Sequence, residues 1–491
     1  VYEVSPPIPN TGLIDSQGDS AQNSDIARLG WNVSGEGVKI GVISDSYDRK
    51  SGVITGMSSQ AVQTDITNGD IPGIENPVTV VQDYPYGPAS DEGRAMLQIV
   101  HDVAPDAELF FRTGFISEGN MAAGIAELVA LNCDVIVDDL TYMKAPFFRD
   151  GIVAHAINEA TDNGVSYFTS AGNFGSRSYQ STFEPSLSNS LRHDFEGSAM
   201  QNLTLEVGSY IVVLQWDDDF YSFGSNTGAM NDMDIYLAGD DGSIQYGFNR
   251  NNMGADPVEI MPFTVINPTT TNIVIERAAG TGAPPMFKYV VFRAGDNGNF
   301  EAVPEANSST IVGHANAEGA ITVGAVRYDN TPNYGGVLTA QQSSSLGGTT
   351  TRGTTTNGEL RNKPDIMAPT GGDTSVNLGA PDFDNNSFPN FFGTSASAPH
   401  AAGVAALIIE AKTTFGIDVS NSDPNSPLYQ FLITGEGVEN LVSGDIMITQ
   451  YYEGTTDSKW IEVVNRSSAT IPAGTYVLAL YNQTAIPNIE T

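Results

Sequence analysis

The chain of 491 residues contains 58 acidic and 21 basic residues, which gives a formal net charge of −37 at neutral pH. A surface of this sign repels nucleic acids and anionic membranes, so the charge argues against both as partners. Hydrophobic residues make up 40% of the chain, and no apolar run approaches the roughly 18 residues of a membrane helix. We therefore expect a globular protein of about two or three domains without a membrane span.

The first third of the chain alternates apolar strands with helices. After a turn-rich lead-in, the pattern predicts strands over 37–44, 108–115, 133–143 and 165–173. It predicts helices over 24–29, from Asp91 onward, over 121–132 and over 152–164. Such alternation is typical of a parallel α/β sheet, whose chemistry lies at the carboxyl ends of the strands.

The pattern changes at about Asp194 and again near Ala302. Between them, short alternating runs separated by Gly, Asn, Asp and Pro predict an antiparallel β-sandwich inserted into the α/β domain. A buried strand follows at 320–329, then a helix dense in Ala and Gly over 394–412 that we expect to pack deep against the sheet. We therefore divide the chain into three parts: a discontinuous α/β domain (1–193 and 305–432), the inserted sandwich (194–304) and a C-terminal β segment (433–491).

The composition and the N-terminal residues of the chain also indicate the location of the protein. Low lysine, abundant Ser, Thr, Asn and Gly, and the modular layout indicate a secreted or cell-surface protein. The chain begins at Val1 without a basic and apolar leader, so we expect that a signal and propeptide were removed or the sequence was trimmed. A single cysteine, Cys133, excludes an internal disulfide framework, and we predict that it fills space in the core.

The most specific motif is FGTSASAPHAAGVAAL, from Phe392 to Leu407. Gly393 permits a tight turn, and Ser395 opens a helix, where its hydroxyl and backbone N–H meet the positive end of the helix dipole. This segment closely resembles the nucleophile motif of subtilisin-like serine peptidases. The resemblance implies that Ser395 is the nucleophile and that His400 packs inside the helix; the alternative is a buried helix without chemistry.

Other blocks resemble the same family, over roughly 25–193 and 305–432. The block GVSYFTSAGNFG is similar to the family's oxyanion segment, which implies that the Asn173 side chain donates to the tetrahedral intermediate. GVISDSYD is similar to the strand that carries the family's catalytic aspartate, which implies Asp45, with Asp48 as the alternative because the register can slip. A turn aspartate would look the same. The implied fold is a subtilisin-like doubly wound parallel sheet.

The chain departs from subtilisins at the second triad position. Subtilisins have a histidine that opens a helix, whereas the block SDEGRAMLQIVHDVAP places Glu92 there. A carboxylate within reach of the serine can also accept its proton. This resembles the sedolisins, acid-acting relatives with a Ser-Glu-Asp triad, although they use an aspartate where this chain has Asn173 and a second acid where it has Met96. We therefore expect a sedolisin-like branch of the subtilases.

Three more acids are expected near Glu92. Asp91 precedes it and can cap the helix, which we favour, or share its proton. Asp138 and Asp139 follow one another in CDVIVDDLTYM, a segment that resembles a strand lining the family's substrate cleft. Like-charge repulsion between paired acids raises a neighbour's pKa, so one of them either supports Glu92 or acts on substrate or from behind the site.

The segments outside the α/β domain carry weaker resemblances. QWDDDFYSFG and MNDMDIYLAGDDGS resemble acidic loops of small β-sandwich domains attached to secreted peptidases, which makes four carboxylates candidate Ca²⁺ ligands: Asp217, Asp219, Asp232 and Asp234. A solvated sheet face would give the same pattern. The C-terminal segment, with KWIEVVN, weakly resembles the start of a lamin-tail-type immunoglobulin-like module.

Together these features predict a secreted serine endopeptidase that cleaves proteins or peptides through an acyl-enzyme on Ser395. Glu92 would be the general base, Asp45 would orient Glu92 or share its proton, and Asn173 would hold the oxyanion. Because the pKa of a free glutamate is about 4.3 and that of histidine about 6.5, we expect activity on the acid side of neutrality. No cofactor is required for this chemistry, structural Ca²⁺ is optional, and a monomer is favoured. The alternatives are a weak or inactive scaffold that serves as a surface binding or adhesion module, and a protease that processes only its own chain or one partner.

Overall fold

The computed structural model describes residues 13–50, 59–281, 283–296, 298–351, 359–414, 446–453 and 459–465. The helices are α1 (Gln17–Ala21), α2 (Ser24–Trp31), α3 (Gln60–Asn68), α4 (Glu92–Val103), α5 (Glu118–Ala130), α6 (Ile152–Asp162) and α7 (Thr394–Thr414). The strands of the first part of the chain are β1 (Lys39–Ser44), β2 (Thr79–Gln82), β3 (Glu108–Thr113), β4 (Val135–Asp138), β5 (Ser166–Ser170) and β6 (Ser178–Thr182). The next are β7 (Gln201–Leu205), β8 (Gly208–Trp216), β9 (Asn231–Ala238), β10 (Ile244–Phe248), β11 (Val258–Val265), β12 (Thr269–Gly280), β13 (Met286–Ala294) and β14 (Glu301–Val303). The last are β15 (Ala320–Arg327), β16 (Thr349–Thr351), β17 (Glu359–Arg361), β18 (Ile366–Thr370), β19 (Gly372–Asp373), β20 (Asn390–Phe391), β21 (Ile446–Glu453) and β22 (Lys459–Asn465).

A seven-stranded parallel sheet forms the centre of the α/β domain, in the order β18-β15-β5-β4-β1-β3-β2. The predicted doubly wound parallel sheet is thus confirmed. Strands β3 and β2 lie on one side of β1, and β4, β5, β15 and β18 lie on the other. The direction in which strands are added to the sheet therefore reverses beside β1. Ligand sites of such sheets lie outside the carboxyl ends of the strands at this reversal, where β1 and β4 are neighbours.

Helix α7 lies against the sheet and against α4, as its dense small residues predict. Its alanines are almost entirely buried along its length, and Ala398, Ala402 and Ala405 have no exposed surface. A methyl group added at Gly403 would lie 2.7 Å from the Val103 side chain on α4. Small side chains are therefore needed because the two helices approach closely.

The inserted sandwich consists of two antiparallel sheets, β10-β9-β12-β7-β14 and β11-β8-β13-β6, around their own apolar core. It begins earlier than the predicted boundary at residue 194, because Ser178–Thr182 pairs with β13 as its outermost strand. That strand is polar and partly exposed, and its partner lies far along the chain, so local pattern does not reveal it.

Only a hairpin, β21 paired with β22, is described within the predicted C-terminal β segment. The rest of 433–491, and with it most of the predicted immunoglobulin-like module, lies outside the described residues. In the part of the chain that the structure describes, no helix is long and apolar enough to cross a membrane. Cys133 is buried, as predicted, and burial raises its thiol pKa to about 12.

The sandwich contacts the α/β domain through an apolar cluster that includes Phe147, Phe148 and Val290. Gln215 of β8 is fully buried in this junction and bonds to two backbone groups of the segment after β4. Its Nε2 donates to the Ala145 carbonyl over 3.0 Å, and its Oε1 accepts the Phe147 N–H over 2.9 Å. The insert therefore supports one wall of the sheet's carboxyl edge.

Lys288 of β13 is also fully buried at this junction. Its Nζ donates to the hydroxyls of Ser309, at 2.7 Å, and Thr349, at 3.3 Å. Burial lowers its pKa to about 7, because two hydroxyls compensate an ammonium less well than water does. The junction therefore contains a costly charge whenever this lysine is protonated.

We expect Lys288→Met to raise the free energy of unfolding at pH 6, on the order of 2 kcal/mol or more. The folded-state pKa is depressed, so the cost of the lysine is present in full below about pH 7 and shrinks as the pH approaches the unfolded value near 10.4. Urea unfolding at pH 6 and pH 10 measures this difference, with the exposed Lys144→Met as the matched control. A variant no more stable than wild type at pH 6 would contradict the expectation.

Candidate active site

The turn before α7 sets the position of Ser395. Gly393 has a φ of +110°, its N–H donates to Thr370 Oγ1 over 2.8 Å, and its carbonyl accepts from the same hydroxyl over 3.0 Å. Ser395 then follows Thr394, the first residue of α7, and is 7% exposed. The serine therefore stands at the helix N-terminus, where free backbone N–H groups and the helix dipole favour negative charge.

Asn173 lies beside this turn, just beyond β5. Its Oδ1 accepts the Thr394 N–H over 2.9 Å, which leaves the amide NH₂ as the free donor of the side chain. A Cβ at Gly393 would lie 2.8 Å from Asn173 Nδ2, so only glycine fits next to this amide. The structure thus brings the predicted oxyanion donor next to the turn that presents Ser395.

Glu92 is the first residue of α4 and is partly exposed. Its carboxyl lies beside the side chains of Ser395 and Asp139 and interacts with both. Burial, followed by the charge of Asp45, raises the Glu92 pKa above its ordinary value. The structure therefore places the predicted base in contact with the predicted nucleophile.

Asp139 follows the last residue of β4 and is the carboxyl that contacts Glu92. Its pKa lies well above the usual range, first because of burial and then because of the charge of Glu92, with Asp45 and Asp138 contributing. Two carboxyls this close cannot both be ionised at low cost. The sequence left open which of the paired acids stands beside Glu92, and the structure places Asp139 there.

Asp45 acts on the backbone at the start of α4 rather than on the Glu92 side chain. Its Oδ1 accepts the Glu92 N–H over 3.0 Å, and its Oδ2 accepts both the N–H and the hydroxyl of Ser90, over 2.7 and 2.6 Å. Its influence on the Glu92 carboxyl is electrostatic. Asp48, the alternative acid, instead accepts the Ser59 N–H over 2.6 Å.

The prediction that Asp91 caps α4 is wrong. Asp91 occupies the N-cap position with a left-handed φ of 61°, and its side chain makes no cap bond. Its carboxylate is directed to the loop after β1, where it accepts the Lys50 N–H over 3.0 Å, and to Arg94, at 2.8 Å. The left-handed backbone turns the side chain away from the helix end, and Asp45 supplies the acceptor there instead.

Asp138 lies on the other side of β4 from Asp139, because successive side chains of a strand point to opposite faces. It has no exposed surface, and its Oδ1 lies 3.0 Å from His314 Nε2. The same oxygen accepts the Leu140 N–H over 3.1 Å. Sequence reasoning missed His314, which is distant in the chain and belongs to no recognisable motif.

All five histidines lie in the part of the chain that the structure describes, and none of them forms a hydrogen bond with Ser395. His400 is fully buried, with Nδ1 2.7 Å from the Ala396 carbonyl and Nε2 2.9 Å from Ser16 Oγ. Burial lowers its pKa to about 4, in keeping with a packing residue. The others lie at the end of α4, in α6, in the sandwich and beside Asp138: His101, His155, His193 and His314.

The four carboxylates predicted as Ca²⁺ ligands have different surroundings in the sandwich. Within the described residues, no three side chains among His, Cys, Asp and Glu lie close enough to hold an ion. Asp219 pairs with Arg149 at 2.8 Å, and Asp232 accepts the Asn252 N–H over 2.9 Å. Burial raises the pKa of Asp234 to about 6. Asp217 is buried at the end of β8. Calcium binding by the sandwich therefore stays a prediction.

Part of the chain matches a known protein family. Residues 267–423, which include Ser395, match the model of the Subtilase family. No curated protein sequence matches the chain at a significant level.

Three solved structures are similar in fold. The CspB protease of Clostridium perfringens has a TM-score of 0.47 and 13% identity, over 90% of this chain and 94% of that one. A lanthipeptide protease has a TM-score of 0.37 and 12% identity, over 83% of each chain. The PatG macrocyclase in complex with peptide has a TM-score of 0.35 and 12% identity, over 88% of this chain and all of that one. The family match, taken with the parallel sheet and the position of Ser395, supports a serine peptidase of the subtilase clan.

Proposed function

We propose that this chain is a serine endopeptidase in which Ser395 forms an acyl-enzyme and Glu92 is the general base. The observation that carries the proposal is the closeness of the Glu92 carboxyl to the Ser395 side chain at the N-terminus of α7, where the two groups interact. A base in contact with a helix-opening hydroxyl is the arrangement that nucleophilic acyl transfer needs.

The proposed reaction proceeds in two transfers. Ser395 Oγ attacks the peptide carbonyl while its proton passes to Glu92, and the tetrahedral oxyanion is stabilised by Asn173 Nδ2 and the backbone N–H of Ser395. Glu92 then returns the proton to the leaving amine, and the C–N bond breaks. Water repeats the sequence on the acyl-enzyme and releases the acid product.

Asp139 gives the base its working protonation state. Of the two carboxyls in contact, we propose that Asp139 keeps the proton and donates it as a hydrogen bond to ionised Glu92. In this sedolisin-like proposal the second acid, Asp139, comes from the end of β4. In sedolisins the second acid lies on the same helix as the catalytic glutamate. Asp45 fixes the backbone of α4 under this pair.

The remaining features of the proposal concern setting and substrate. We propose a secreted or cell-surface monomer that acts on proteins or peptides at acidic to neutral pH. The formal charge of −37 and the low lysine content support an extracellular setting.

We expect Glu92→Gln to lower kcat for peptide hydrolysis by about 10²–10⁴, because the amide cannot accept the serine proton. Labelling of Ser395 by a fluorophosphonate, followed from pH 4 to pH 8, should weaken in the same variant and vanish in Ser395→Ala. His155→Gln, an exposed histidine of α6, is the matched control and should behave as wild type. Full activity in Glu92→Gln would rule out the proposed base, and absence of label in the wild type at every pH would favour the inactive scaffold.

Asp139→Asn tests how the proton is shared. Activity of the wild type should rise as Glu92 ionises, above its ordinary pKa, and fall when Asp139 loses its proton at higher pH. The asparagine keeps a hydrogen-bond donor but cannot titrate, so the alkaline limb of the kcat/KM profile should disappear while the acid limb remains. Asp139→Leu, which removes the donor, should lower activity across the whole range. An unchanged alkaline limb in Asp139→Asn would contradict the assignment.

Asn173 offers a test of the oxyanion site. We expect Asn173→Ala to lower kcat by about 10²–10³ with little change in KM, because the interaction is made mainly in the transition state. Asn173→Asp should recover activity only at acidic pH, where the carboxyl is protonated and can donate. Equal loss at every pH in Asn173→Asp would argue against a donor role.

A further inference from the structure

The buried ion pair behind the proposed site consists of Asp138 and His314. Asp138 has no exposed surface, His314 is 3% exposed, and the Oδ1–Nε2 distance is 3.0 Å. His314 belongs to a 3₁₀ turn, Gly313–Asn316, that begins with a glycine at a φ of +62°. The turn therefore brings an imidazole to the residue directly before Asp139, although the proposed chemistry does not use it.

Most of the titratable side chains around this pair are carboxyl groups and tyrosine hydroxyls. On the His314 side the neighbours are Tyr167 of β5, whose pKa Asp138 raises, the ring of Tyr142, and Glu118 at the start of α5. Arg112 interacts electrostatically with Tyr142, and Lys144 interacts electrostatically with Glu118. On the other side of β4 lie Ser44, Asp45 and Glu92. Among these groups, His314 is the basic side chain in ion-pair contact with Asp138.

We propose that the Asp138–His314 ion pair tunes the Glu92–Asp139 carboxyl pair from behind and so sets the pH range in which the enzyme acts. The inference rests on the proposed function and makes Asp138 and His314 positioning residues, because neither touches the serine or the substrate. The physical link is short, since Asp138 and Asp139 are adjacent on the chain and on opposite faces of the same strand end.

The sign of the effect follows from the charges. After burial and the charge of Glu92, the carboxylate of Asp138 also raises the pKa of Asp139, and the His314 side chain at 3.0 Å compensates that carboxylate. Removing the imidazole leaves the Asp138 carboxylate less compensated, which strengthens the binding of the proton that Glu92 and Asp139 share. Removing the carboxylate takes away its negative charge, which weakens the binding of that proton. The two partners of one ion pair should therefore shift the site in opposite directions.

The experiment is the pH profile of kcat/KM for a peptide substrate between pH 3 and pH 9. We expect His314→Gln to move the limbs to higher pH, and Asp138→Asn to move them to lower pH, each by about 0.5–1.5 units. The double variant should follow Asp138→Asn, because the imidazole acts through that carboxylate. His314→Asn is the second choice if His314→Gln does not fold, and His155→Gln is the surface control.

Three outcomes overturn the inference. Shifts of both single variants in the same direction would do so, and so would a uniform loss of kcat at every pH, which indicates a merely structural role. Unshifted limbs in folded, active variants would overturn it as well.

A second readout separates this inference from the proposed function. Carboxyl titration of Glu92 and Asp139 is followed by infrared or NMR spectroscopy in the Ser395→Ala background, where no turnover is needed. If the two variants shift the carboxyl titrations in opposite directions in that background, the inference is supported. This holds even if the wild-type chain shows no peptidase activity, a result that would count against the proposed function alone. Unshifted titrations in that background reject the inference while leaving the peptidase proposal intact.

Discussion

The contact between the carboxyls of Glu92 and Asp139 is the interaction on which the site depends. Two acids at hydrogen-bond range require a proton between them, and that proton makes one a donor and the other an acceptor. An imidazole obtains the same division of labour from its two ring nitrogens. In the proposed site the two roles are distributed over Glu92 and Asp139, and the surroundings of these residues must therefore fix both their position and their charge.

The parallel sheet supplies that control because β1 and β4 are adjacent and end at the same edge. Asp45, just past β1, holds the first N–H of α4 and so places Glu92. Asp139, just past β4, meets it, while Asp138 on the reverse face pairs with His314. The turn held by Thr370 and Gly393 brings Ser395 to the same edge. Each side chain is thus positioned by the end of a regular element rather than by a long loop.

Local sequence was sufficient for the parts of this arrangement that a short segment determines. The parallel sheet, the insertion of a sandwich and the helix opened by Ser395 follow from apolar periodicity and from the turn at Gly393. The place of Asn173 follows from the resemblance of its segment to the oxyanion segment of subtilisin-like peptidases. Other features depend on contacts between distant segments. The left-handed backbone of Asp91, the pairing of β6 with β13, the choice of Asp139 over Asp138 and the partner His314 are all of this kind. Whether the acids of the sandwich bind calcium depends on distant contacts in the same way, because alternation along a strand does not reveal whether carboxylates converge.

Gln215 links the site to the order in which the protein matures. The backbone after Asp139 receives its bonds at Ala145 and Phe147 from a residue of the sandwich. A nascent chain emerging from the ribosome therefore lacks that support until the insert has been synthesised and has folded, and Ser395 emerges later still. In the proposed peptidase, Ser395 is therefore the last residue of the site to be translated, after the segments that carry Glu92, Asp139 and Asn173.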